Sequence, residues 1–475
     1  MQANSNRRQL GKARISLCIA LIYSLLAVHL QLAGAITPPV PNSHAQLLGV
    51  LSSSNRFIVR DNLGLQGLNL ACLLVGCNLL HAIGDAQGQL FVIQNIGLLN
   101  DPVAFLARLL SITGVIDAEI DQTVSTLGAT VGAIPSYLTD EKLVQYYGAQ
   151  VWEGYVVQTP NQIVRTEKTL SRFNVTGKGV TVALIDTGVD PTNNVLKSHL
   201  VYGYDFTRNA SGGSEMGDIT QSTAGVIDGS AQPAQLNQST AGVIDQGHAQ
   251  VINQPQYSAF GHGTMTAGIV HLVAPNASLM PLKAFNANGI GYASDVLRAI
   301  YYAVNHKAKV ISMSFEFTGP SLELATAITY ATAKSVICVA SAGNDASVAI
   351  VYPSGLPNVI DVASTSNTNT PSSFSNYGTP PVWISAPGEA VMTTYPFGTY
   401  AVGWGTSFSA PFVSGTVALM ASVNLRSSYL LTQTTAAAAL SHAQRIPESQ
   451  YGFGVLDTYR AVQAWKRSLP NSFEF

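Results

Sequence analysis

Gly177-Lys178-Gly179-Val180-Thr181-Val182-Ala183-Leu184-Ile185-Asp186-Thr187-Gly188 decides how the rest of the chain is read. The first glycines make a turn. Residues 180–185 then form an almost unbroken apolar run, the pattern of a strand buried on both faces of a parallel sheet. Similar runs recur at 279–284, 310–314, 336–341 and 359–363, with helical spacing between them at 294–306 and 321–334. Strands alternating with helices predict an α/β fold whose parallel sheet is flanked by helices. In such sheets ligands and catalytic groups gather at the carboxyl ends of the strands, where Asp186 stands.

Working outward, three further segments carry chemistry. Gly261-His262-Gly263-Thr264-Met265-Thr266-Ala267-Gly268 places a histidine between small residues at the start of a helix, with room for a substrate. His-x-x-x-His spacing is absent and His271 lies nine residues on, so a general base is favoured over a metal ligand. Ala340-Ser341-Ala342-Gly343-Asn344-Asp345 ends a buried strand on an asparagine, whose amide can donate to a developing oxyanion. Gly405-Thr406-Ser407-Phe408-Ser409-Ala410-Pro411 sets a serine among small residues before an apolar helix, whose start supplies free N–H donors. A serine hydroxyl is a weak nucleophile and needs a base and an orienting acid, roles that His262 and Asp186 suit. Asp-Thr-Gly also occurs in aspartic proteases, but those need a second such motif and this chain has none.

Asp186, His262, Asn344 and Ser407, in that order, resemble the subtilisin-like serine proteases, which share the Asp, His, Ser chain order. The resemblance runs over about 165–465 and includes Val273-Ala274-Pro275-Asn276-Ala277, Ser373-Phe374-Ser375-Asn376-Tyr377-Gly378, Ala386-Pro387-Gly388 and Tyr451-Gly452-Phe453-Gly454-Val455-Leu456-Asp457. It implies that Asp186 orients His262, that His262 takes the Ser407 proton and passes it to the leaving amine, and that Asn344 stabilises the tetrahedral oxyanion. It also implies that Ser314, Phe315 and Glu316 line the substrate pocket. Phe408 stands where the family usually has methionine, Met265 where histidine is common, and Glu316 where glycine is common. A glutamate there either narrows the pocket or favours basic side chains. The chemistry requires no cofactor. Structural calcium is frequent in the family, but no concentrated run of carboxylates names a site. A catalytically silent binding or scaffold protein is the rival reading, and the four intact residues weigh against it. An α/β-hydrolase esterase would need Gly-x-Ser-x-Gly and the order Ser, Asp, His.

Around this core the 475 residues allow more than one domain. Arg7, Arg8, Lys12 and Arg14 precede an uncharged apolar run at 15–32 and Ala33-Gly34-Ala35, the pattern of a signal peptide over 1–35. His29 and Gln31 weaken that run, which favours cleavage over a lasting anchor. The expectation is a secreted protein, extracellular or periplasmic, with no stable membrane span after cleavage. Residues 36–53 read as a linker. At 54–124, strand-helix-strand-helix-strand patterning, with residues 65–83 read as helical, predicts a small α/β sandwich that resembles the family's inhibitory propeptide. Residues 125–164 read as a connector containing a helix at 137–149, 165–467 as the catalytic domain and 468–475 as a tail. Residues 209–257 are poor in charge and repeat Gln-Ser-Thr-Ala-Gly-Val-Ile-Asp at 221–228 identically at 238–245, which suggests a surface insertion lengthened by local duplication.

Cys72 and Cys77 are expected to diverge on one helix and stay unbridged, and Cys338 to be a buried small hydrophobe. A net charge of −2 with scattered Lys and Arg gives no stripe for nucleic acid. The expected partners are protein or peptide substrates and the chain's own propeptide.

Overall fold

The computed structural model describes residues 55–97, 99, 101–126, 141–219, 235–236, 241–243, 257–317, 319–378, 382–423, 431–446 and 451–469. The leader at 1–35, the linker at 36–53, most of the duplicated stretch and most of the tail lie outside the described residues. The chain divides into two compact units, Met1–Gln122 and Thr123–Phe475.

In the first unit, β1 (Arg56–Asp61), α1 (Gly64–Val75), β2 (Cys77–Ala82), β3 (Leu90–Asn95), α2 (Pro102–Leu109) and β4 (Val115–Ile120) follow in order. The sheet runs β2-β3-β1-β4 and every pairing is antiparallel. Alternation decides its inner face: Phe57, Val59, Phe91 and Ile93 point to one side and close on Leu68, Phe105 and Leu109 of the two helices. The helix expected over 65–83 ends at Val75. Gly76 takes a left-handed φ of 80° and turns the chain back, so the residues from Cys77 become a fourth strand. That turn also overturns the expectation for the cysteines. Cys72 and Cys77 are not on one helix; their Cα atoms lie 4.5 Å apart and they form a disulfide.

The second unit opens with β5 (Thr123–Ser125). A hairpin of β6 (Leu143–Tyr146) and β7 (Ala149–Trp152) follows, then short helices α3 (Glu153–Val156), α4 (Thr159–Ile163) and α5 (Thr166–Phe173). Tyr147 and Gly148, both at positive φ, make the hairpin turn where a helix was read. Tyr146, Val151, Tyr155 and Val164 belong to this unit's core, so residues 143–164 are built into it.

The main sheet gathers β8 (Thr181–Asp186), β9 (Tyr204–Asp205), β10 (Ala210–Ser211), β13 (Ser278–Lys283), β15 (Val310–Met313), β16 (Ile337–Ser341), β17 (Ile360–Thr365) and β18 (Ile384–Pro387) in the order β10-β9-β13-β8-β15-β16-β17-β18. All pairs but β10–β9 are parallel. A smaller antiparallel sheet joins β11 (Gln235–Leu236), β12 (Ala241–Val243), β19 (Val391–Tyr395) and β20 (Thr399–Gly403), while β14 (Ile290–Tyr292) pairs with β5. The helices are α6 (His262–Val273), α7 (Ala293–Asn305), α8 (Leu322–Ala333), α9 (Thr406–Ser422), α10 (Gln433–Leu440) and α11 (Thr458–Ser468). Helices α6 and α9 pack together against the sheet, and α7 pairs with α8.

Every residue of α6 is buried, as is α9 from Thr406 to Met420. Neither helix has a polar face, as expected of helices enclosed on all sides. They approach closely at Gly415, where a Cβ would lie 2.6 Å from that of Val273. The fold thus sets the starts of two buried helices beside the carboxyl ends of β8 and β16. Cys338 is fully buried in β16 with its thiol pushed up to about 12, which leaves it inert.

Candidate active site

Asp186 closes β8 and is buried. Its Oδ1 accepts from the Thr187 backbone N–H at 2.7 Å and lies 2.7 Å from His262 Nδ1; Oδ2 accepts from Thr266 Oγ1 at 3.1 Å. A carboxylate accepts, so Nδ1 carries the proton and the lone pair of the neutral ring sits on Nε2. His262 is the first residue of α6, entered through Gly261 at φ 90°. Its Nε2 is buried and has no hydrogen-bond partner among the described residues.

Ser407 is the second residue of α9, where the backbone N–H has no helical carbonyl behind it. Proline at position 411 cannot donate to the Ser407 carbonyl one turn back. Ser314 Oγ donates to that oxygen instead, at 3.0 Å. Asn344 follows β16. Its Oδ1 accepts from the Thr406 N–H at 2.9 Å and from Thr406 Oγ1 at 3.0 Å. With its oxygen so committed, the Asn344 amide keeps its N–H donors for another group. Phe408 is fully buried over Gly403, and its ring centroid lies 5.7 Å from that of His262. No hydrogen bond joins Ser407 Oγ to His262 in this structure. Catalytic hydrogen bonds of this kind are often long in resting enzymes and tighten with substrate.

The residues expected to line the pocket have distinct surroundings. Ser314 is engaged with the Ser407 carbonyl. Phe315 is buried, its ring centroid 5.0 Å from that of Phe285 and 6.0 Å from that of Phe317. Glu316 is half-buried beside the glycine that precedes Asn344: a Cβ on Gly343 would lie 2.9 Å from Glu316 Oε2. Burial, reinforced by the charge of Asp345, pushes the Glu316 carboxyl up to about 8. Glu316 also pairs through its backbone with β5: its N–H donates to the Ser125 carbonyl at 3.1 Å, and the Ser125 N–H donates back at 3.4 Å. On its other edge β5 pairs antiparallel with β14, and the Thr126 N–H donates to the Gly289 carbonyl at 3.0 Å.

Two buried charges were missed from sequence. Glu215 lies at the start of the stretch read as a surface insertion, yet it is fully buried. It accepts from the Gly261 N–H at 2.8 Å, from Thr187 Oγ1 at 3.2 Å and from Thr264 Oγ1. Burial pushes its carboxyl up to about 8, against the pull of Thr264, Gly261 and Lys283. Lys283, the partner of Asp186 in the sheet register, is also fully buried. It donates to the Thr187 carbonyl at 2.8 Å, to the Phe285 carbonyl and to Asp218 at 2.7 Å. The threonines of the Asp186 and His262 motifs, both wanting an acceptor, were the available signal for Glu215. Among the described residues, no group of three or more His, Cys, Asp and Glu stands together as a metal centre.

A mostly parallel sheet with Asp, His, Asn and Ser at its carboxyl edge and at the starts of adjoining helices defines the class: an α/β hydrolytic enzyme of the serine type. A family model described as "Subtilase family" matches residues 177–454. Thermitase from Thermoactinomyces vulgaris is 32% identical over 299 residues, which cover 60% of this chain and 90% of that protein. Thermophilic serine proteinase from Bacillus sp. (strain AK1) is 33% identical over 51% of this chain and 52% of its own length. Subtilisin Savinase from Lederbergia lenta is 36% identical over 34% of this chain and 64% of its own length. The chain belongs to the subtilase family and is a serine-type endopeptidase.

Proposed function

We propose that this endopeptidase works through Asp186, His262 and Ser407, and that it is made as an exported zymogen. The bonded pair of Asp186 and His262, with an unshared Nε2 lone pair, carries the reading. Nε2 removes the Ser407 proton as Oγ attacks the peptide carbonyl. The oxyanion then takes hydrogen bonds from the Asn344 amide and the Ser407 N–H, and the imidazolium, held by Asp186, protonates the leaving amine. Water repeats the sequence on the acyl-enzyme. Asp186 is bonded at both oxygens, while His262 Nε2, Ser407 Oγ and the Asn344 amide nitrogen have no partner among the described residues.

Self-processing is supported by β5. An extended segment of this chain lies between β14 and the backbone of Glu316, bonded on both edges as an added strand, which is how an extended peptide substrate is held. The antiparallel pairing of Ser125 with Glu316 aims β5 toward Ser314, whose Oγ holds the Ser407 carbonyl. We read the cut as falling within the few residues after Thr126, which would release the first unit as a propeptide. Export rests on the basic and apolar leader at 1–35. Among the described residues no helix is long and apolar enough to cross a membrane.

The test is to incubate purified precursor with and without a fluorophosphonate and to map new N-termini by mass spectrometry. Inhibitor-sensitive cleavage shortly after Thr126, with the adduct on Ser407, is expected. Cleavage that persists with Ser407 fully labelled would overturn the self-processing reading.

A further inference from the structure

Glu215 has no part in the chemistry just described, yet three donors converge on it from the two elements that carry Asp186 and His262. We infer that Glu215 is a positioning residue, which locks the Asp186 loop to the first turn of the His262 helix and so fixes the acid–base pair. The inference rests on the proposed Asp186, His262 and Ser407 machinery.

The hydrogen-bond directions leave little freedom. Thr187 Oγ1 already accepts from the Gly263 N–H at 2.9 Å, so its own proton goes to Glu215 Oε2. Thr264 Oγ1 accepts from the Asp190 N–H at 2.8 Å, so its proton goes to Glu215 Oε1. The third donor is the Gly261 N–H, at the residue before His262. One carboxylate therefore binds the residue after Asp186 and the residues on either side of the His262–Gly263 step. A carboxylate suits the place because it only accepts, whereas a glutamine would turn an N–H toward one of three donors.

The steric fit is as tight as the polar one. A Cβ on Gly188 would lie 2.7 Å from the Glu215 backbone nitrogen, and one on Gly263 would collide with the Gly188 carbonyl. The Asp186–Gly188 loop is thus pressed between the 213–215 segment and the helix start. Lys283 holds the same loop from behind through the Thr187 carbonyl. Without the Glu215 carboxylate, two hydroxyls and one N–H lose a buried acceptor, and the loop and helix can shift against each other. A displacement near 1 Å in such a pair costs about a hundredfold in rate.

Hydrolysis of a chromogenic peptide at alkaline pH, normalised to sites counted by fluorophosphonate titration run to completion, tests this. Glu215→Ala is expected to lower kcat by about ten- to a hundredfold per titrated site while KM changes less than about threefold. Thr187→Val should lower kcat in the same direction, and Thr187→Ser, which keeps the hydroxyl, should restore it. A Glu215→Ala enzyme with wild-type kcat per site overturns the inference. So does a Thr187→Ser variant no better than Thr187→Val, and this pair decides the matter if Glu215→Ala does not fold. Failure of the underlying reading looks different: Ser407→Ala would then hydrolyse the peptide as well as wild type.

Discussion

At the corner built from β8 and α6, Asp186 and Glu215 both have each carboxylate oxygen bonded, and His262 Nε2 is left without a partner among the described residues. At the corner built from β16 and α9 the bonding stops short. Asn344 has its oxygen engaged, but its amide nitrogen and the Ser407 hydroxyl have no partner among the described residues. The difference separates two tasks. On the proposed mechanism, the acid–base pair is set before substrate arrives, while the proposed nucleophile and oxyanion donor stay uncommitted until a carbonyl occupies the gap. Electrostatic preorganisation acts through donors that need not leave another partner first.

Removing the nucleophile breaks the comparison outright. Ser407→Ala should reduce casein hydrolysis to background and leave the precursor full-length on a gel, with an unchanged circular dichroism spectrum. Asn344→Ala comes next: kcat should fall about 10²–10³-fold with KM nearly unchanged, since the donor acts on charge that exists only in the transition state. Proportional rises in KM would assign Asn344 to ground-state binding instead.

A smaller effect sharpens the contrast between buried Glu215 and half-buried Glu316. Glu215 is ringed by donors, whereas the Glu316 side chain has no hydrogen-bond partner among the described residues and sits beside Gly343, next to Asn344. Its carboxyl, pushed up to about 8, is neutral below that pH and charged above it. Cleavage after lysine or arginine, relative to leucine, should therefore rise as pH climbs through about 8, by roughly tenfold in kcat/KM. Glu316→Gln should flatten that rise; an unaltered ratio would remove Glu316 from the pocket.

The least dramatic change concerns stability. Asp361 is raised from its ordinary 3.8 to about 7, first by burial. Folded protein then holds a proton that the unfolded chain releases, so this stability is complete below the ordinary value and is lost as pH rises through about 7. Urea unfolding of Ser407→Ala, which cannot digest itself, should show a loss of a few kcal/mol between about pH 5 and 9. A flat profile would mean that hydrogen bonds to the ionised Asp361 outweigh its burial.

The parallel sheet was legible because strands buried on both faces write themselves as apolar runs, and β8, β13, β15, β16 and β17 fall where those runs stand. The residues of the candidate site stand in motifs that are each local in sequence. What escaped depends on chain reversal or on distant partners. Residues 77–82 are as apolar as the helix before them, and one glycine at positive φ separates the two. Tyr147, a non-glycine at positive φ, hid the 143–152 hairpin. Glu215 meets Thr187 and Thr264 from 28 and 49 residues away, so nothing local marked it as buried.

The bridge between Cys72 and Cys77 reaches beyond folding into how the protein can be produced. A unit of under 70 described residues has a thin apolar interior, and cross-linking even a short loop is worth about 2 kcal/mol to it. Recombinant expression in a reducing cytosol would withhold that staple, whereas an oxidising secretory route supplies it. Among the described residues the remaining cysteine is Cys338, which is buried and poorly placed to scramble the pair.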